Sequence, residues 1–297
     1  MMVLLSHLSQ KACGIGFAVL LCLVTDVKAE NLSTRSALDN SQSFQPTLKV
    51  STTSIDFGRV FKELGVEGSI VIYDQSSNKF YEHNTPRNSR AFFPASTFKI
   101  FNTLVALETG VIRDEVTVLT WDGIRRKLAG LEIDAWYRDT NLRQAFKDST
   151  IWFYQVLARK AGQERMQNFI NQAGYGNQQI GKPENIDKFW LEGPLQITPK
   201  QQIEFLQKVY YEKLPFSKRS FNLLKDIMII EQTPTYILRG KTGWIDSTKP
   251  NIGWFVGYLE QNNKVYFFAT NIDMPNPNIA ANRIKITRRC LQMLGLF

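Results

Sequence analysis

Ser96 and Lys99 stand three positions apart in the stretch "FFPASTFKIFN", residues 92–102. On a helix, positions i and i+3 share a face, so a hydroxyl and an amine at this spacing can meet. A serine with a lysine as its base is one accepted form of activated nucleophile. The lysine's neighbours are small or apolar, and an ammonium buried among them must be paired or give up its charge. The same S-x-x-K spacing recurs as "SSNK" from Ser76 to Lys79. That copy lies in a polar turn between two strands, where its residues need not share a face. Ser96 is instead placed to cap an apolar helix running to Gly110, with its hydroxyl at the positive end of the helix dipole.

Other routes to hydrolysis are poorly supplied. Lys11 precedes the apolar run "ACGIGFAVLLCLV" (12–24), and Val27-Lys28-Ala29 leads into Glu30. This order reads as a secretory signal over 1–29, cleaved after Ala29, with the mature protein expected in the periplasm. The run is shorter than the roughly 20 residues of a spanning helix, and Leu21 before Cys22 argues against lipidation. Removing 1–29 leaves Cys290 and His83 as the only cysteine and histidine, so no intramolecular disulfide is expected. His83, in "KFYEHN", reads as a surface histidine at a strand end, unsuited to be the base of a triad. Three zinc ligands drawn from His and Cys are not available, so no metal is expected. The net charge is +9, but its basic residues are scattered and no aromatics interleave with them, which argues against a nucleic-acid partner.

Hydrophobic residues at 43% and aromatics at 12% can build the core that must hold these groups. The expected class is mixed α/β. Residues 30–54 read as a polar N-terminal arm. "GSIVIYD" and "KFYEHN" read as a hairpin around "QSSN". Residues 96 to about 235 read as mostly helical, with stops at Gly162 and Gly174 and a capping box at "TPKQ" (198–201). A further helix is expected over 217–229. "TYILRGKTG", "NIGWFVGYLE" and "KVYFFATNID" then return to strand, and a last helix covers about 279–294. Strands at both ends imply one antiparallel sheet completed by distant segments, with flanking helices and an inserted helical region.

Five motifs in order complete the pattern: "STFK" at 96, "STI" at 149, "YGN" at 175, "FWLEGPL" at 189 and "KTG" at 241. Together they resemble the penicillin-recognising serine enzymes, and specifically the class D β-lactamases, from about residue 68 onward. The resemblance implies one catalytic domain over 30–297 with the transpeptidase/β-lactamase fold. It implies Ser96 as the nucleophile that opens a β-lactam, oxacillin-type penicillins included, and an oxyanion hole from the backbone N–H groups of Ser96 and Trp244. Ser149 would relay a proton to the leaving nitrogen, with Lys241 beside it. Lys241, Thr242, Gly243 and Arg283 would meet the substrate carboxylate, and Tyr175 would shape the edge of the substrate site. Lys99 would be carbamylated by CO₂ (N6-carboxylysine) and act as general base, in a pocket of Phe98, Ile151, Trp190 and Leu191. No cofactor other than CO₂ or bicarbonate is implied. An apolar pocket fits this role, because it lowers a lysine's pKa and only a neutral amine attacks CO₂.

Two departures stand out: Ile151 replaces the usual valine, and the segment 175–190 is slightly longer than in familiar members. Small-molecule β-lactams are the expected partners, with no stable membrane partner; monomer and dimer both stay open. A penicillin-binding DD-peptidase or a β-lactam sensor domain would share the fold. The class D base and its tryptophan favour turnover over trapping, and a sensor would need membrane spans and a cytoplasmic output that are not expected here.

Overall fold

The computed structural model describes residues 55–297, so the leader expected over 1–29 and the arm over 30–54 lie outside the described residues. After α1 (Gly58–Leu64), β1 (Gly68–Asp74) and β2 (Lys79–His83) form the expected hairpin. Asp74 closes it: Oδ1 accepts from the Ser76 N–H at 2.8 Å and Oδ2 from the Ser77 hydroxyl at 2.8 Å. The Ser76 hydroxyl also donates to Asp74, at 2.6 Å, while Lys79 Nζ lies over the Tyr81 ring. The second S-x-x-K copy is therefore a turn.

The chain continues through α2 (Thr85–Asn88), a 3₁₀ turn at Ala95–Phe98 and α3 (Lys99–Glu108). β3 (Val118–Leu119), β4 (Lys127–Leu128), β5 (Leu131–Glu132) and β6 (Thr140–Asn141) precede α4 (Leu142–Lys147), α5 (Ile151–Ala161) and α6 (Gln163–Ala173). Then come α7 (Pro199–Tyr210), α8 (Lys218–Ile227), β7 (Ile229–Gln232), β8 (Tyr236–Ile245), β9 (Asn251–Gln261), β10 (Lys264–Met274) and α9 (Asn282–Met293). The capping box that opens α7 forms as expected, with Thr198 and Gln201 exchanging side-chain bonds to each other's N–H at 3.1 and 3.0 Å.

The main sheet runs β2-β1-β10-β9-β8-β7, all antiparallel. Pairing of β1 with β10, from Gly68↔Ile272 to Asp74↔Tyr266, joins the two ends of the chain as the sequence implied. Both faces of β1 are buried. Val71 and Tyr73 point into a core shared with the helical region, while Ile70 and Ile72 point into a second core under α1 and α9. Two buried faces explain why β1 reads as a continuous apolar run without polar alternation.

Several expectations are corrected. The segment 96–235, expected to be mostly helical, also holds two small two-stranded sheets within 118–141, β3 with β6 and β4 with β5. The helix expected over 217–229 ends at Ile227, because "IIEQ" is taken up as the edge strand β7. The last helix is shorter than 279–294, its start delayed by a 3₁₀ turn at Pro277–Ile279. His83 is half-buried, with its ring 4.4 Å from that of Phe61, and desolvation lowers its pKa. Ser96 does not cap a helix: it lies inside the 3₁₀ turn, and its side chain makes no capping bond.

Candidate active site

The turn carrying Ser96 is built to hold its hydroxyl still. Ala95 adopts φ 47°, a left-handed conformation that a small side chain tolerates best, and its N–H donates to the Trp190 carbonyl at 2.9 Å. The Thr97 hydroxyl donates to Pro94 O at 2.6 Å and accepts from Gln202 Nε2 of α7 at 2.9 Å. One turn on, Lys99 Nζ donates to Ser96 Oγ at 2.7 Å.

Lys99 is 1% exposed. Among the described residues no carboxylate lies within ion-pair distance of it, and Nζ instead sits 5.3 Å from the centre of the Tyr154 ring. Burial alone pushes its pKa down to about 7, so near neutrality the amine is neutral in a substantial fraction of molecules. The Phe98 ring stacks on Trp190 with centroids 5.4 Å apart, and Phe189 packs edge-on to both. Trp190 is fully buried, yet its indole N–H has no acceptor among the described residues. A buried donor without a partner is costly, so this group marks a place where an acceptor belongs.

A second serine–lysine pair lies across the cleft. Ser149 precedes α5 with φ 59°, and Lys241 Nζ of β8 donates to its Oγ at 2.9 Å and to Thr242 O at 3.0 Å. Lys241 is 4% exposed; burial, then the charges of Lys99 and Arg283, holds its pKa well below the usual lysine range. Gly243 lets β8 approach the nucleophile turn, since a Cβ there would lie 3.1 Å from Thr97 Cγ2 and 3.3 Å from Pro94 O.

The edge of β8 supplies backbone donors. The Gly240 N–H reaches Met228 O at 3.0 Å on the β7 side. Backbone groups alternate sides along an antiparallel strand, so the N–H groups of Thr242 and Trp244 leave by the same edge. β7 pairs with β8 only from Ile237 to Arg239, which leaves that stretch of edge uncovered where it passes the Ser96 turn.

Ser96, Ser149, Ile151, Leu191, Thr242, Gly243, Trp244 and Arg283 line one cleft of about 270 Å³. Arg283, in the first turn of α9, has no carboxylate partner among the described residues. Nη1 reaches Met274 Sδ at 3.6 Å, Nε has no partner, and burial pushes its pKa down to about 10, leaving it charged at neutral pH. A largely desolvated guanidinium at a cleft wall is suited to a ligand carboxylate. Arg283→Ala is expected to raise KM for a carboxylate-bearing substrate about ten- to hundredfold, the loss of roughly 1.5–3 kcal/mol from bonds to a charged group. Steady-state kinetics with the parent and variant check this, and an unchanged KM would remove Arg283 from the binding set.

Tyr175 is placed differently from its expected position at the substrate site. It is 1% exposed and packs against Phe98, Phe101 and Phe205, with centroids 4.8–5.6 Å away, and it does not line the cleft. The "YGN" motif is architectural in this respect. Gly176 has φ 55°, a Cβ there would fall 2.2 Å from Gln196 O, and the Asn177 side chain bonds Pro194 O and the Gln196 N–H. Sequence reasoning missed Tyr154 under Lys99 and Gln155 in the cleft wall. Their positions four residues or fewer beyond Ile151 on the same helix were the available signal.

A serine–lysine nucleophile turn against an open sheet edge, with a second serine–lysine pair opposite, defines a serine acyl-transfer site of the penicillin-recognising kind. Residues 32–292 match the family model for the penicillin binding protein transpeptidase domain. Beta-lactamase OXA-48 of Klebsiella pneumoniae is 40% identical over 232 residues, 78% of this chain and 85% of that protein. OXA-10 of Pseudomonas aeruginosa is 36% identical over 248 residues, covering 82% and 91% of the two chains. The crystal structure of the class D β-lactamase YbXI from Nostoc matches with a TM-score of 0.79 at 66% identity, over 82% of this chain and 99% of that one. The chain belongs to the penicillin-binding transpeptidase family and, within it, to the class D serine β-lactamases.

Proposed function

We propose that the chain hydrolyses penicillin-type β-lactams, oxacillin-type included, through an acyl-enzyme on Ser96, with carbamylated Lys99 as general base, after export to the periplasm by residues 1–29. The observation that carries the base assignment is the buried Trp190 N–H without an acceptor among the described residues: its indole stacks on Phe98, the residue before Lys99, whose pKa burial lowers to about 7. A bare amine offers one lone pair, which the adjacent Ser96 hydroxyl would use. A carbamate on Lys99 supplies two anionic oxygens, one for the Ser96 proton and one for the indole N–H.

The chain's own groups account for the rest. Arg283 and Thr242 hold the substrate carboxylate, which sets the lactam carbonyl near Ser96 Oγ. The Ser96 and Trp244 N–H groups stabilise the oxyanion as Oγ bonds to the carbonyl carbon. The C–N bond breaks and the nitrogen takes a proton from Ser149 Oγ, whose hydroxyl is held by Lys241 at 2.9 Å. Ser149 regains, through Lys241 and solvent, the proton that the Lys99 carbamate took from Ser96, which frees the base to deprotonate water. The hydroxide attacks the acyl carbon and Ser96 Oγ leaves with the proton taken from water, releasing the ring-opened acid.

Bicarbonate tests the reading. Enzyme held at pH 5, where the Lys99 amine is protonated, and then returned to pH 7.5 in CO₂-depleted buffer is expected to be largely inactive towards oxacillin. Added bicarbonate should restore it over minutes, together with a carbamate signal in carbon-13 NMR. Full activity without bicarbonate and without that signal would overturn the assignment. A peptidase that traps penicillin would instead stay acylated in every condition.

A further inference from the structure

The wall of the cleft continues along α5 past the residues already discussed. Ile151, Gln155 and Arg159 follow one another at intervals of four and so share a face of α5. Ile151 and Gln155 line the cleft. Gln155 Nε2 also donates to the main-chain carbonyl of Asp187 at 3.3 Å, and Arg159 Nη1 pairs with the Asp187 carboxylate. Asp187 lies three residues before Trp190, in a run of turns that belongs to no helix or strand of the fold. Short bonds inside that run, such as Leu191 N–H to Lys188 O at 2.8 Å, transmit the position of one residue to the next. At its other end the run is tied to the nucleophile turn by the Ala95 N–H to Trp190 O bond.

The Trp190 indole is therefore carried on a loop held from two sides. One tie reaches the residue before Ser96, and the other reaches the helix whose first residue is Ile151. We propose that Gln155 and Arg159 are positioning residues that, through Asp187, hold the Trp190 indole in register with Lys99 and thereby set how tightly the carbamate on Lys99 is retained. The proposal rests on Lys99 being the carbamylated base. Partners one layer out from a reactive group fix the orientation of the groups that touch it, and their loss weakens the bound species without removing it. The Asp187 side chain is 16% exposed and that of Arg159 45%, so the pair lies at the margin of the protein, where a substitution alters the loop without opening the core.

The test compares the parent with Arg159→Met, Asp187→Asn and the conservative Arg159→Lys. It reads two quantities: the bicarbonate concentration giving half-maximal oxacillinase activity, and hydrogen–deuterium exchange of residues 188–192. Arg159→Met and Asp187→Asn are expected to raise the bicarbonate requirement about tenfold, the lower end of the effect of other outer-layer substitutions. Saturating bicarbonate should restore their kcat, with KM within about twofold of the parent, and exchange over 188–192 should quicken. Arg159→Lys should recover part of both effects. An unchanged bicarbonate requirement in a folded variant overturns the proposal, whether or not its Tm has fallen, because a merely structural pair would lower Tm alone. If Arg159→Met does not fold, Asp187→Asn, which keeps the side-chain shape, decides on the same readouts. A parent that shows no bicarbonate dependence marks the failure of the carbamate reading itself. Faster exchange in the variants would then still establish the fastening of the loop, while its proposed effect on the carbamate would fall.

Discussion

Lys99→Ala mixed with a penicillin is expected to carry a persistent covalent adduct on Ser96 while turnover nearly stops. General-base catalysis contributes about 10²–10⁴ in rate, and in the proposed mechanism Lys99 serves both the attack by Ser96 and the attack by water. Its Nζ lies 2.7 Å from Ser96 Oγ, and among the described residues no histidine, aspartate or glutamate lines the cleft near that hydroxyl to take over, the cleft's own acids being Glu192 and Asp246 at its rim. Mass spectrometry of the intact protein reads the adduct, and a spectrophotometric assay reads turnover. Acylation slows as well, so the adduct should build up over a longer time than in the parent but should not decay. Hydrolysis at the parental rate would exclude Lys99 as the base.

A second large effect concerns stability. Lys99→Met keeps a long, flexible side chain of similar reach and removes the ammonium. In the folded protein the Lys99 pKa is about 7, against an ordinary value of 10.5. Above 10.5 the amine is neutral in both folded and unfolded chains, and burial costs no charge. Between 10.5 and 7 the unfolded chain binds a proton that the folded chain does not, so stability falls as pH falls through this window. Below 7 both states are protonated and the full penalty applies, on the order of 3 to 5 kcal/mol at about 1.4 kcal/mol per unit. In CO₂-depleted buffer at pH 6, Lys99→Met should therefore unfold at a higher temperature than the parent, by roughly 10 °C. The gap should close as pH approaches 10. The nearby Lys241 should gain as well, since the charge on Lys99 is one of the causes that depress its pKa. Calorimetry at pH 6 and pH 9.5 checks both limbs, and a variant no more stable than the parent at pH 6 would show that Lys99 is not buried at this cost. Such a result would also weaken the case for a neutral amine open to CO₂.

The comparison of Ser76–Lys79 with Ser96–Lys99 shows how much of the site was legible in the sequence. Both have the same spacing, and the surrounding residues separated them: polar turn residues around the first, an apolar helix after the second. The structure agrees, with Asp74 taking the Ser76 hydroxyl and Lys99 donating to Ser96. Helix ends were legible where a local device marks them, as at Thr198 and Gly174. They were missed at 118–141 and 229–232, where strands of two to four residues exist only through their pairing, β3 with β6 across the segment and β4 and β7 with the strand that follows each. Propensity carries little information over segments of two to four residues, so the partner decides.

Tyr175 and Arg283 mark the boundary from the other side. Tyr175 came from an ordered motif and Arg283 from the resemblance over the basic stretch "NRIKIT", and nothing local distinguishes a tyrosine at the cleft from one behind Phe98. The fold puts Tyr175 in the aromatic core and Arg283 on the cleft wall. The amino-acid order alone determined the nucleophile pair, the strands at both ends and the set of motifs, because each is written locally, as the spacing of two residues, an apolar and aromatic run bounded by turn residues, or a contiguous set of residue types. Tertiary structure decided that Lys241 meets Ser149 from 92 residues away, that the β8 edge stays open beside Ser96, and that Lys99 sits near neutrality. Desolvation, the distance between charges and an uncovered backbone edge depend on neighbours brought together only when the sheet closes, and no local pattern contains them.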